Sequence, residues 1–178
     1  SNMTRGRWFV WVWLAALVGV SACGKMNSGD HIAPIIGDPR TRIVSLAPHL
    51  TELVFTAGAG NFLVGTVEFS DFPPAARELL RVGDAFRVDY EVISSLSPDL
   101  ILIWPSGTPP EAVIYLRELG FEVLALEPLR LEDIADHLET IGQLAGTGQT
   151  ASITAAKFRA DIAALRRRYK NSLPLRVF

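Results

Sequence analysis

The chain has 178 residues, 49% of them hydrophobic, and 17 basic against 19 acidic side chains leave a formal net charge of -2 at pH 7. That balance, with no basic patch interleaved with aromatics, excludes nucleic acid as a partner. A single cysteine excludes an intramolecular disulfide, and the apolar content suffices for one well-formed core between residue 42 and the end.

Ser1-Asn2 precede Met3 and read as the remnant of a cleaved purification tag. Arg5 and Arg7 then form a basic region, Trp8 to Val20 is an apolar run of thirteen residues, and Val20-Ser-Ala-Cys23 closes it with small side chains. As a helix, such a run is too short to cross a bilayer core of about 30 Å, so residues 1–22 predict a secretory signal rather than a transmembrane anchor or a buried helix. The segment resembles the lipobox of bacterial lipoproteins, which implies cleavage before Cys23 and a diacylglycerol thioether on its sulfur. The plainer alternative is an ordinary secretory signal with an incidental cysteine. Either way the folded part is expected outside the cytoplasm. Residues 23–41, rich in Gly, Pro, Ser and Asn, read as a flexible tether.

Strands are predicted over 42–47, 62–67, 99–104 and 123–127, each short, mostly apolar and bounded by Gly, Pro or Asp. Continuous rather than alternating apolar strands are expected where helices cover both faces of a sheet. Helical patterns fall between them, over 50–57, 73–80, 90–96, 110–119 and 131–145, with Pro74 and Pro110 near helix starts and Gly120 and Gly146 at helix stops. The alternation predicts an α/β lobe with a mainly parallel sheet over residues 42–147. In such sheets ligands gather at the carboxyl ends of the strands.

Residues 148–171 predict a long connecting helix, with Ile153, Phe158, Ile162, Leu165 and Tyr169 as its apolar stripe and Arg166-Arg167-Arg168 as its solvated end, near the negative pole of the helix dipole. Residues 172–178 read as the start of another buried strand, which predicts a second lobe truncated from this chain.

Gly58, Gly60 and Gly65 follow a helix and precede a strand, the reverse of the order a phosphate-binding turn requires. No nucleophile elbow, P-loop or Cys/His metal spacing occurs, so neither enzyme chemistry nor a resident metal or cofactor is expected. Of the chemistry-bearing candidates, His49, Phe69 and Trp104 sit at or just after strand ends. His49 can touch a ligand or simply end a helix. Trp104, Phe69 and Phe86 can form a flat ligand wall or cap the sheet, and Glu91, near a helix start, can act on the helix dipole or serve as a charge handle for a partner's arginines.

Four stretches carry a resemblance: Arg42-Ile-Val-Ser-Leu-Ala-Pro-His-Leu-Thr-Glu52, Val64-Gly-Thr-Val-Glu-Phe-Ser-Asp-Phe-Pro-Pro74, Leu96-Ser-Pro-Asp-Leu-Ile-Leu-Ile-Trp104 and Leu119-Gly-Phe-Glu-Val123. In order and spacing they resemble the periplasmic binding proteins of class III ABC importers, the receptors for cobalamin, siderophores and haem. The resemblance implies two Rossmann-like lobes joined by one long helix, with ligand held in the cleft between them. It puts Phe69 and Trp104 against the ligand and Glu91 on the permease. Where the corrinoid receptors carry a tryptophan, this chain has Ala85, with Phe86 beside it. A haem ligand would need a His or Tyr on its iron, for which His49 and Tyr90 are the candidates. The combined expectation is a lipid-anchored binding protein without catalytic activity, which captures a corrinoid, or alternatively a ferric siderophore or haem. It would deliver that ligand to an ABC permease and its ATPase. A non-transport extracellular enzyme or a structural lipoprotein is the alternative from another class.

Overall fold

The computed structural model describes residues 41–84 and 87–173. The signal and lipobox around Cys23, most of the tether, Ala85, Phe86 and the strand expected at the end of the chain lie outside the described residues.

The elements alternate as β1 (Ile43–Ser45), α1 (Pro48–Thr56), β2 (Leu63–Thr66), β3 (Leu80–Arg81), α2 (Tyr90–Leu96), β4 (Leu100–Ile103), α3 (Pro110–Glu118), β5 (Val123–Ala125), α4 (Leu131–Leu144) and α5 (Gly148–Tyr169). The five strands form one sheet in the order β3-β2-β1-β4-β5, with every neighbouring pair parallel. Successive side chains of a strand point to opposite faces. Ile43, Leu100 and Leu102 accordingly join a core with α1, α4 and α5 on one face, while Val44, Ile101 and Ile103 join a second core with α2 and α3 on the other. The continuous apolar run in β4 is thus shared between two cores, each fully buried.

Local signals account for several element ends. Gly120 (φ 87°) and Gly146 (φ 74°) adopt the left-handed conformation that closes α3 and follows α4, a region a Cβ disfavours. Asp89 caps α2 by accepting the Val92 N–H at 3.0 Å. Among the described residues, no helix is long and apolar enough to cross a membrane.

The structure corrects the sequence reading in three places. The helix expected over 73–80 is a short 3-10 turn, Pro74–Glu78, followed by β3, whose Leu80 and Arg81 pair with Gly65 and Thr66. Leu79 is already extended (ψ 148°), so pairing with the edge of β2 ends the turn before it grows into a helix. Helix α1 begins at Pro48, where a missing N–H costs nothing, and so takes His49 into its first turn. The stripe of α5 is also displaced: Ala151 and Ala155 are buried, whereas Ile153 is 65% exposed and Leu165 and Tyr169 are about half exposed. Small residues carry the contact because α5 crosses α4 closely. A Cβ added at Gly142 of α4 would lie 2.2 Å from the Ala151 Cβ. Around this crossing Arg159 of α5 donates to Asp136 (2.6 Å) and Glu139 (2.8 Å) of α4, and Arg166 pairs with Glu132. Arg166 is therefore ion-paired, while Arg168 lies over the Tyr169 ring.

Candidate functional site

The chain winds outward from β1 to β2 and β3, then crosses back to lay β4 and β5 on the other side of β1. At such a reversal the loops leaving β1 and β4 diverge to opposite faces and leave a crevice at the strands' carboxyl ends. Four side chains border this rim in strand order: Phe69 after β2, His49 after β1, Trp104 after β4 and Glu127 after β5. His49 and Trp104 meet across the switch point itself, with ring centroids 5.1 Å apart and planes at 89°. Edge-to-face packing at that separation is a favoured aromatic geometry.

Trp104 is more enclosed than its place at a strand end suggests. Its ring is partly buried against the α1/α4/α5 core. The indole N–H donates to Glu127 Oε1 at 2.9 Å. The benzo part of the ring lies on Gly107, where an added Cβ would come within 2.2 Å of it. Backbone N–H groups of Gly107 (2.9 Å) and Thr108 (2.7 Å) bond back to the Trp104 carbonyl, which folds the loop under the ring. The second Glu127 oxygen accepts the Ser106 N–H at 2.9 Å and the Ser106 hydroxyl at 2.8 Å. Those bonds, from the Ser106 hydroxyl first and the indole second, hold the Glu127 carboxyl below its ordinary value and hence ionised.

Phe69 has the opposite character: its side chain is 80% exposed on a backbone with φ 65°. A non-glycine residue rarely adopts that conformation, and it costs roughly 1 kcal/mol or more. What holds it is buried beneath. Ser70 is tied by Thr66 Oγ1 (2.8 Å), Thr66 by Thr51 Oγ1 of α1 (2.6 Å), and Thr51 lies 3.1 Å from Ser45 Oγ of β1. All four side chains are fully buried, so their hydroxyls find partners within the protein, in one another and, for Ser45 (3.0 Å) and Thr51 (3.3 Å), also in the Ala47 carbonyl. The chain of hydroxyls links β1, α1, β2 and the loop, fixing Phe69 in front of the sheet; Phe72, three residues on, is 64% exposed.

His49 looks two ways, toward Trp104 and toward a largely apolar groove of about 330 Å3 lined by Leu53, Pro128, Ile134, Leu138 and Phe158. Burial pushes its imidazole below the ordinary 6.5, against the opposing pull of Glu127 and Glu52. The neutral ring is therefore favoured. Tyr90, the other candidate for a metal-bearing ligand, is on the opposite face of the sheet, where its ring packs edge-on against Tyr115 at 4.8 Å. The structure thus separates His49 from Tyr90. Among the described residues, no group of three or more His, Cys, Asp or Glu side chains is arranged to hold a metal ion.

Glu91 is exposed in the first turn of α2, beside a shallow polar hollow lined by Arg87, Val88, Asp89 and Tyr90. It stands apart from the His49–Trp104 pair, on the α2/α3 side. Sequence reasoning had no purchase on Glu127, Ser106 or the four-hydroxyl chain. The one available signal for Glu127 was its position, a carboxylate beside Pro128 at the end of a strand on the carboxyl-end rim of the sheet.

Residues 43–177 match the family described as periplasmic binding protein. The vitamin B12-binding protein of Vibrio cholerae serotype O1 is 40% identical over 140 residues, covering 79% of this chain and 51% of that protein. Among solved structures, the periplasmic vitamin B12 binding protein BtuF of Vibrio cholerae superposes with a TM-score of 0.74 at 39% identity, covering 77% of this chain and 54% of that one. The apo periplasmic heme-binding protein RhuT from Roseiflexus sp. RS-1 superposes with a TM-score of 0.66 at 29% identity, covering 75% and 52%. The chain spans about half the length of the relatives it matches.

Proposed function

We propose, because the chain belongs to the family of periplasmic binding proteins, that it captures a corrinoid of the vitamin B12 type outside the cytoplasm and hands it to an ABC permease. The observation that carries this reading is the row Phe69, His49, Trp104 along one rim, with two of its members in contact across the topological switch point. A wide, nearly flat ligand needs broad rigid contact more than it needs many polar bonds. Aromatic rings supply that area at little conformational cost. The similarity to the vitamin B12-binding protein of Vibrio cholerae, in sequence and in structure, supports the corrinoid over other cargo.

On this reading residues 42–147 form one wall of a two-walled cleft, α5 is the helix that leads to the second lobe, and Ala85 and Phe86 are counted among the ligand contacts. Glu91 is the charge that docks this lobe on the permease, whose ATPase supplies the energy. Cys23 carries the lipid that tethers the protein to the membrane. The protein performs no chemistry on its cargo.

Haem is the second reading, and one observation favours it: the neutral form of His49 is the form that ligates iron. Titration with cyanocobalamin, haem and a ferric siderophore, followed by absorbance and calorimetry, separates the two. The corrinoid reading expects cyanocobalamin to bind most tightly. Binding of haem alone, with loss on His49→Ala, would replace it by the haem reading.

A further inference from the structure

Glu127 makes three hydrogen bonds at the rim, and their donors come from one loop, which is also the loop that carries the ligand-facing tryptophan. We propose that Glu127 is the positioning residue that sets the Trp104 ring and its Ser106–Gly107 loop as a preformed ligand wall. The inference rests on the reading of Trp104 as a ligand contact and deepens it.

The indole N–H is a lone donor, and Glu127 Oε1 accepts it at 2.9 Å. The two Ser106 donors converge on Oε2, so both carboxylate oxygens are engaged and each fixes a different part of one loop. A carboxylate suits this place because it is acceptor-only: three donors face it from one side and none is left to find another partner. Bonds to an ionised acceptor are also about twice as strong as neutral ones. The other restraints on the ring complete the enclosure. Gly107 backs its face and His49 meets it edge-on, but neither fixes rotation about the side-chain bonds as the indole N–H bond does. With the ring already held, a ligand that packs on it loses no further rotamer freedom, which is the advantage of a preorganised contact. Glu127 itself belongs to the segment after β5, so the bond also locks the β4 loop to the next strand.

A glutamine at this position offers one carbonyl oxygen and one NH2. It can keep the indole bond, but then turns a donor toward the Ser106 N–H, so it restores the ring and not the whole loop. The test uses the full 178-residue chain with Trp8, Trp11 and Trp13 replaced by phenylalanine, leaving Trp104 as the only tryptophan. Acrylamide quenching and near-UV circular dichroism of Trp104 are compared for this parent, Glu127→Gln and Glu127→Ala, together with cyanocobalamin titration.

The expected result is graded. Glu127→Ala raises quenching, collapses the Trp104 dichroism band and weakens cyanocobalamin roughly tenfold, the size of one lost charge-assisted bond. Glu127→Gln recovers most of the dichroism and part of the affinity, while far-UV dichroism stays the same in all three. The proposal is overturned if Trp104 quenching and dichroism in Glu127→Ala match the parent, or if affinity falls with no change at Trp104. Should the parent not bind cyanocobalamin, one wall of the cleft does not suffice for binding, and the ligand-free quenching and dichroism still decide the role of Glu127.

Discussion

Phe69 holds a left-handed backbone with most of its ring in solvent, an arrangement that stability alone does not favour. Strained backbone of this kind persists where surrounding contacts over-determine it, and it concentrates at binding sites. Here the buried hydroxyls of Ser45, Thr51, Thr66 and Ser70 supply the constraint. Two substitutions separate the backbone from the ring. Phe69→Gly removes the Cβ conflict at positive φ, whereas Phe69→Ala keeps it, so denaturant unfolding is expected to find the glycine variant more stable than the alanine variant by about 1 kcal/mol. Both lose the ring, and under the proposed role cyanocobalamin affinity is expected to fall in both. Equal stability of the two variants would mean that the loop relaxes freely and that Phe69 is not held in place.

At the scale of elements, the crossing of α4 and α5 depends on the absence of a side chain at Gly142. The nearest neighbours of an added Cβ are the Ala151 Cβ at 2.2 Å and the Gly148 Cα at 3.4 Å, both on α5 and neither able to swing aside. Gly142→Ala therefore has to push the helices apart, and overpacking of this kind costs about 1–3 kcal/mol even after the gain in helix propensity. Thermal unfolding checks it, and a variant as stable as the parent would show that the crossing is looser than described. This crossing also shows why α5 was misread in the sequence. Pattern reading weights large apolar residues such as Ile153 and Leu165, while the real contact runs through alanines and a glycine, which carry little periodic signal. β4 and α4 were legible because their apolar runs are long and their boundaries carry turn residues. The edge strand β3 was not, since two residues cannot display a period and Arg81 is held there by pairing with Thr66. The positions of Phe69, His49 and Trp104 at the carboxyl ends of strands were legible from the sequence. Glu127 was hidden because Trp104 and Ser106, 23 and 21 residues away in the chain, come to it only when β4 and β5 pair.

For the whole molecule, the titrating groups predict loss of stability in acid in two stages. Burial lowers the His49 and His137 imidazoles below 6.5, opposed at His49 by Glu127 and Glu52 and at His137 by Asp133 and Asp136. The unfolded chain then takes up protons before the folded one, so stability is complete above that value and declines as pH falls through it. A second decline follows below 4.5, where the hydrogen-bonded carboxylates of Glu127, Glu132 and Glu139, each held below that value, are forced to protonate. Thermal unfolding against pH should show both steps, and the pair His49→Gln, His137→Gln should remove the upper one while leaving the lower. Persistence of the upper step in the double variant would assign it to other groups. The proposed ligand wall at the switch point between β1 and β4 is tested most directly by calorimetric titration of cyanocobalamin into the chain and into Trp104→Ala, side by side. The expected result is binding to the parent and a loss of tenfold or more in the variant, the size usual for a buried aromatic contact. Equal affinity of the two proteins for cyanocobalamin would contradict the placement of the ligand there.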